Sequence, residues 1–181
     1  MELVEPLDLD QFRKLRVGLG SPPYKTRFPL LGGVMTAVLE TSLQRTHEWL
    51  HEIGQELGFD NERAAYAALR ATLHAIRDRL PVELVGHFGA ELPMLVRGIY
   101  YDGRHPSAVR LKAAHDADFF DSIGSELLGH DELEDVEAVA GAVLRVVDRR
   151  IAPGQFAHVL DAMPEKVRRL WHEAQQAEDI Q

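Results

Sequence analysis

Residues 60–80 read DNERAAYAALRATLHAIRDRL, and the spacing within this stretch decides the fold. Ala65, Ala68, Leu69, Thr72, Leu73, Ile76 and Leu80 recur at steps of three and four, the period of an amphipathic helix. Asp60 or Asn61 stands where the first free backbone N–H groups need an acceptor, and Pro81 interrupts the pattern. Almost every other strong periodic signal is helical too. Upstream, Leu39, Leu43, Thr46, Leu50, Ile53 and Leu57 mark a helix over 39–57, with Gly58 as its stop. Downstream, short helices are expected around 82–89 and 91–100, the second with Pro93 in its first turn.

The same grammar returns 71 residues later. A gapless overlay of 49–100 on 120–171 gives eleven identities in 52 positions. They include Leu57-Gly58 with Leu128-Gly129, Asp60 with Asp131, Leu73 with Leu144, Arg79 with Arg150, His87 with His158, Pro93 with Pro164 and Val96-Arg97 with Val167-Arg168. Trp49 meets Phe120, and Tyr100 meets Trp171. The matches fall on helix stops, caps and core places, where a repeated backbone would need a repeated residue. The spacing therefore predicts an internal duplication, with Leu57 and Leu128 as equivalent core positions. Each unit holds two long and two short helices, and the two share a core because one alone buries too little surface.

Bulk properties narrow the function classes. With 20 basic against 29 acidic residues the net charge is −9, which argues against a nucleic-acid binder or a membrane-surface protein. Cysteine is absent, so disulfides, thiolate zinc sites and cysteine nucleophiles are excluded. The start, MELVEPLDLDQF, lacks the basic-then-apolar form of a secretory signal, and no apolar run reaches the ~20 residues of a membrane span. The expectation is a soluble, cytoplasmic protein.

The runs TSLQRTHEWLHEIGQELG, AAYAALRATLHAIRDRLP and AELPMLVRGIYYDGRHPS resemble the bacterial family of unknown function numbered 2267. The DFFDSI segment and AVLRVVDRRIAPGQFAHVLDAMPEKVRRLW resemble that family's second repeat, so the likeness covers roughly residues 38–175. LPMLVRGIYYDG is its most specific part. The resemblance implies an all-helical bacterial protein, often in stress-related gene neighbourhoods, with no established activity. Arg104 departs from the pattern, since relatives usually carry Trp after YYDG.

Chemistry has to be sought in the residues themselves. HEWLH at 47–51 has the form of a zinc-binding helix: imidazoles at i and i+4, with a glutamate beside the first as base. The third-ligand position used by one subgroup of such enzymes is Leu57, a core residue, and more distant ligands such as Glu83, His74 or His87 stay open. The second unit has Asp118 and Ser122 in place of the two histidines, so the scaffold does not require imidazole there. The stretch is read as a solvated helix face with Trp49 and Leu50 buried. Zinc held by His47 and His51, with Glu48 as base, is kept as an alternative.

Tyr101, Asp102, Arg104 and His105 lie between the units, where packing does not require them, and form the candidate interaction surface around a Gly103 of positive φ. Tyr100 is read as core. His87 and His158 either bond neighbouring helix ends or meet as a ligand site across a pseudo-twofold. Arg97 with Arg168, and Arg79 with Arg150, make equivalent ion pairs or helix C-caps. Neither a phosphate loop nor a nucleophile elbow is recognisable.

The expected fold is all-α: two tandem four-helix repeats in one bundle-like domain. Residues 1–34 form an irregular extension, 35–103 the first repeat, 104–115 the loop, 116–175 the second repeat and 176–181 a tail. The expected function is a non-catalytic interaction or regulatory module, with a protein partner and no cofactor. The alternatives are a zinc-dependent hydrolase using HEWLH and a small-ligand binder at the seam between repeats.

Overall fold

Asn61 opens the helix on which the rest of the body is assembled. Its side-chain oxygen accepts from the Arg63 and Ala64 amides at 3.1 and 3.2 Å, and Glu62 adds a negative charge at the same end. The computed structural model describes residues 29–103, 116–152 and 154–178. Among them lie eight α-helices and no strand: α1 (Pro29–Leu57), α2 (Glu62–Arg79), α3 (Val82–Glu91), α4 (Met94–Tyr101), α5 (Asp116–Glu126), α6 (Val136–Arg150), α7 (Gln155–Asp161) and α8 (Glu165–Glu178). A 3-10 turn, Asp131–Leu133, precedes α6.

Contacts divide the chain into residues 1–41 and 42–181. In the first unit, the described residues 29–41 are helical, and Thr41 donates its hydroxyl to the Ala37 carbonyl at 2.8 Å. The helix thus starts at Pro29, inside the stretch expected to be irregular. The segments 1–28 and 104–115 of the expected extension and loop lie outside the described residues.

In the second unit α2 is central, packing against α4, α5, α6 and the 3-10 turn. It is buried on nearly every side from Ala71 to Arg77, and Ala64, Ala65, Ala68, Ala71 and Ala75 let its neighbours approach closely. Leu69, Leu73 and Ile76 are fully buried and each contributes ~1.5–3 kcal/mol of burial free energy. The sequence stripe is therefore correct but too narrow, because a helix flanked on several sides buries more than one face. α6 has the same design: Asp135 caps the Ala138 amide at 3.0 Å, and Val139, Val143, Leu144, Val146 and Val147 are buried.

Two apolar expectations need correction. Among the described side chains of α1, from residue 36 on, the first buried one is Thr46, followed by Trp49, Leu50 and Ile53. Leu39 and Leu43 are each 52% exposed, so the apolar spacing runs on past the part of the helix that other residues cover. Leu128 is 82% exposed whereas Leu57 is half-buried. The cause is where each helix stops: α1 runs to Leu57, but α5 ends at Glu126, and in the following turn Leu127 takes the inward place. The stop at Gly58 has the expected form, with φ +76°, its amide on the Gln55 carbonyl at 3.2 Å and the Phe59 amide on Gly54 at 3.0 Å.

Several contacts fall at residues 71 apart. Asn61 donates to Glu132. Arg97 donates to the Ala90 and Leu92 carbonyls at the end of α3, and Arg168 reaches the Asp161 carbonyl at the end of α7. Arg150 of α6 pairs with Glu48 of α1, while Arg79 of α2 lies 5.3 Å from the ring centre of Phe119 in α5.

Thr72 is fully buried, and its hydroxyl has no hydrogen-bond partner among the described residues. An unsatisfied buried hydroxyl costs about 1–3 kcal/mol. Replacing it with an isosteric methyl in Thr72→Val is therefore expected to stabilise the protein by about 1 kcal/mol or more. A higher urea midpoint at unchanged slope would establish this; a lower midpoint would refute it.

Candidate functional site

HEWLH divides along the helix face. Trp49 and Leu50 are buried, as the spacing implies, and His47 and His51 are exposed. The turn after Gly58 brings Phe59, Asp60, Asn61 and Glu62 back beside them, forming a polar pocket of about 240 Å³. Glu62 meets Nδ1 of His47, and Nε2 of His51 stands 3.0 Å from the Gln55 amide. A carboxylate from the next helix thus does reach one imidazole. Among the described residues, however, no three His, Asp or Glu side chains sit where they could hold one metal ion. Glu48 does not line the pocket: it accepts from Arg150 at 3.0 Å and from Gln44 at 3.2 Å. Hydrogen bonds from Arg150 and then Gln44 hold its carboxyl below the usual carboxylate range, which weakens it as a base.

The end of α4 is tied to α2 by several side chains. Three side chains at successive turns of α2 converge on it. Arg77, buried, donates to the Tyr100 and Asp102 carbonyls at 2.8 and 2.7 Å and to Asp78 at 2.8 Å. His74, also buried, has Nε2 at 2.9 Å from the Ile99 carbonyl and Nδ1 at 3.2 Å from both Glu126 oxygens. Arg70 donates to Glu126 at 2.9 Å and lies 3.6 Å from Asp102. His74 and Arg77 thus supply side-chain donors to the carbonyls of Ile99, Tyr100 and Asp102, the first of which also accepts the Asp102 amide at 3.2 Å.

Tyr101 is therefore not a loop residue with no packing role. It is the last residue of α4, and both its hydroxyl and that of Tyr100 donate to the Val85 carbonyl, at 3.2 and 3.3 Å. Its ring packs edge-on against Tyr100 and lies directly over Gly89 of α3. Asp102 is exposed and Gly103 has the expected positive φ, +64°. Arg104 and His105 lie outside the described residues. Tyr100 is core, as expected. The roles of His74 and Arg77 were not visible in the sequence; a basic residue and an imidazole inside an apolar stripe were the available signal.

His87 and His158 do line a common groove, with Glu91 and the apolar Leu84, Phe88 and Val159. Its volume is about 50 Å³, far below the ~300–1,000 Å³ of ordinary ligand sites.

Across the opposite faces of α1 and α6, Glu56 accepts from Arg145 and Arg149 at 2.7 Å each, and Arg150 donates to Glu52 at 2.5 Å. Burial works to raise the Glu56 value, but the Arg145 and Arg149 hydrogen bonds outweigh it and leave the carboxyl below the usual range. The folded values of Glu48 and Glu56 lie below the ~4.3 of a free glutamate, so the folded state binds fewer protons. Their stabilisation is present above that value and lost as pH falls through the folded ones. Urea midpoints should drop between roughly pH 5 and pH 3, and less so in Arg145→Met; an equal drop in the variant would remove Glu56 from the account.

A Cβ on Gly89 would come within 2.8 Å of Tyr101 Cζ, whose ring is held by its hydroxyl bond and by Tyr100. Gly89→Ala is expected to destabilise by ~1–3 kcal/mol, whereas Gly86→Ala, with nothing within 4 Å, should gain ~0.5–1 kcal/mol. Thermal unfolding of the two variants side by side checks both signs.

A comparison with curated proteins gives no match. The family described as an uncharacterized conserved protein (DUF2267) matches residues 46–170, from the buried Thr46 just before HEWLH to within α8, and the chain belongs to that family.

Proposed function

We propose that this protein is a non-catalytic module that acts by contact with another protein, using the turn at the end of α4. One observation carries the reading. His74 and Arg77 hold the carbonyls of Ile99, Tyr100 and Asp102, and Arg70 faces the Asp102 carboxylate, so Tyr101 and Asp102 are presented at the surface on an immobilised backbone. A rigid mount for a partly exposed tyrosine and an exposed aspartate lowers the ordering cost of binding. Arg104 and His105, which follow directly, belong to the same proposed surface.

We further read 35–103 and 116–175 as two copies of one helical unit related by a pseudo-twofold. The reciprocal contacts support this. The pair Arg79 with position 119 becomes Arg150 with position 48 on exchange of the units, and Arg97 on Ala90 becomes Arg168 on Asp161. Asn61 touches its own counterpart, Glu132, as residues beside a twofold axis do.

The zinc-hydrolase reading is weaker. Its base, Glu48, is turned to Arg150, and the carboxylate that reaches His47 is Glu62. A small-ligand site at the seam has only the narrow His87–His158 groove to offer.

Untagged protein purified from its native host should carry a co-purifying protein identifiable by mass spectrometry. That partner should be lost from a doubly substituted Asp102→Arg, Arg104→Glu variant that remains folded. Near-stoichiometric zinc that disappears in His47→Ala would overturn the reading, as would a monomer with no partner.

A further inference from the structure

We propose that His74 is a buried imidazolium, a proton-dependent clasp that ties α5 to the end of α4. The hydrogen bonding requires two protons on the ring. Nε2 faces the Ile99 carbonyl at 2.9 Å, and a carbonyl oxygen only accepts. Nδ1 faces both Glu126 oxygens at 3.2 Å, and Glu126 also accepts from the Arg70 guanidinium at 2.9 Å. A carboxylate held by arginine is ionised and only accepts. A neutral imidazole has a single N–H and would direct a lone pair at one of these oxygens, inside a region where His74 is 4% exposed. With both nitrogens donating, every polar atom of the ring is satisfied.

A second observation is independent of the ring's own geometry. Seventy-one residues on, the place of His74 is taken by Arg145, which pairs at 2.7 Å with Glu56 near the end of α1. The two sites have one plan, a cation on a long helix meeting a glutamate near the end of a helix from the other half. One site uses a permanent cation. The other uses the side chain that can lose its charge.

The groups around the ring define what the clasp works against. On α2 itself stand Arg70, Arg77 and Asp78, the last occupied by Arg77. α5 contributes Glu126, and the turn after α4 contributes Asp102, 3.6 Å from Arg70. On α6 Arg145 is engaged by Glu56, and in the 3-10 turn Glu132 is engaged by Asn61. The two neighbouring arginines oppose a third cation, while Glu126 touches the ring directly and favours it. Loss of the proton forces the ring to give up Glu126 or the Ile99 carbonyl. Glu126 keeps Arg70 in either case, whereas the Ile99 carbonyl keeps only the Asp102 backbone amide, at 3.2 Å. The side-chain donors from α2 to the carbonyls at the end of α4 are then reduced to Arg77. The clasp is strongest at low pH and loosens as pH rises, opposite in sign to the Glu48 and Glu56 pairs.

Long-range ¹H–¹⁵N correlation spectra of the full-length labelled chain test the proton count. They should be recorded near neutral pH. The resonances assigned to His74 by their loss in His74→Gln should show two protonated ring nitrogens. In folded Glu126→Gln they should show one. A single protonated nitrogen in the wild type overturns the proposal, as does an unchanged pattern in Glu126→Gln. The clasp itself is read by amide exchange at Asp102 and Gly103, corrected for the intrinsic rate. As pH is raised until the ring loses its second proton, opening should increase about tenfold in the wild type and stay flat in His74→Gln. A flat wild-type profile would refute the switch even if the ring is doubly protonated.

Discussion

The burial of α2 on nearly every side from Ala71 to Arg77 is the constraint on which the rest of the structure depends. A helix surrounded by α4, α5, α6 and a 3-10 turn must be thin at its contacts, and its alanines meet that demand. It must also conceal whatever polar groups it carries. Thr72 fails to do so, having no partner, whereas His74 and Arg77 succeed by donating to backbone carbonyls at the end of α4. Those two bonds make the central helix both the core of the fold and the mount for the turn at the end of α4. The Tyr-Tyr-Asp-Gly run is then explained by packing first: both tyrosine hydroxyls meet one carbonyl of α3, and Gly89 leaves room for the second ring.

The acidic character of the chain has a structural counterpart. Glu48, Glu52 and Glu56 form one face of α1 and receive Arg145, Arg149 and Arg150 from α6. Partly exposed pairs of this kind contribute little singly, but networked arginine forks hold register between two helices. They also account for the fate of HEWLH. Its glutamate belongs to this network, its tryptophan and leucine belong to the core, and its histidines line a shallow polar pocket. One pentapeptide serves three unrelated surroundings because successive residues on a helix point about 100° apart.

Much of the architecture was legible in the residues. The all-helical class, the positions of α2 and α6, the stop at Gly58, the positive φ of Gly103 and the buried pair Trp49–Leu50 all follow from period and local backbone chemistry. Arginines 97 and 168 cap helix ends because a cation seven residues beyond a carbonyl can fold back onto it. The apolar periodicity of Leu39 and Leu43 misled, since spacing reports which face is apolar and not where along the helix a neighbour is present. Leu128 misled for a smaller reason, a helix that ends about two residues earlier than its counterpart.

The sequence by itself determined the all-helical class, the long helix over 62–79 with its acceptor at the start, and the stop at Gly58, because those depend on interactions within a few residues. It also indicated the family through a run, LPMLVRGIYYDG, whose demands are mostly local. Only the tertiary structure decided which polar residues meet. His74 with Glu126 and Ile99, Arg150 with Glu48, and His47 with Glu62 join residues from different helices, at separations that no local pattern encodes. Whether a histidine is a ligand, a solvated side chain or a buried cation depends on the acceptors that the folded chain places around its two nitrogens.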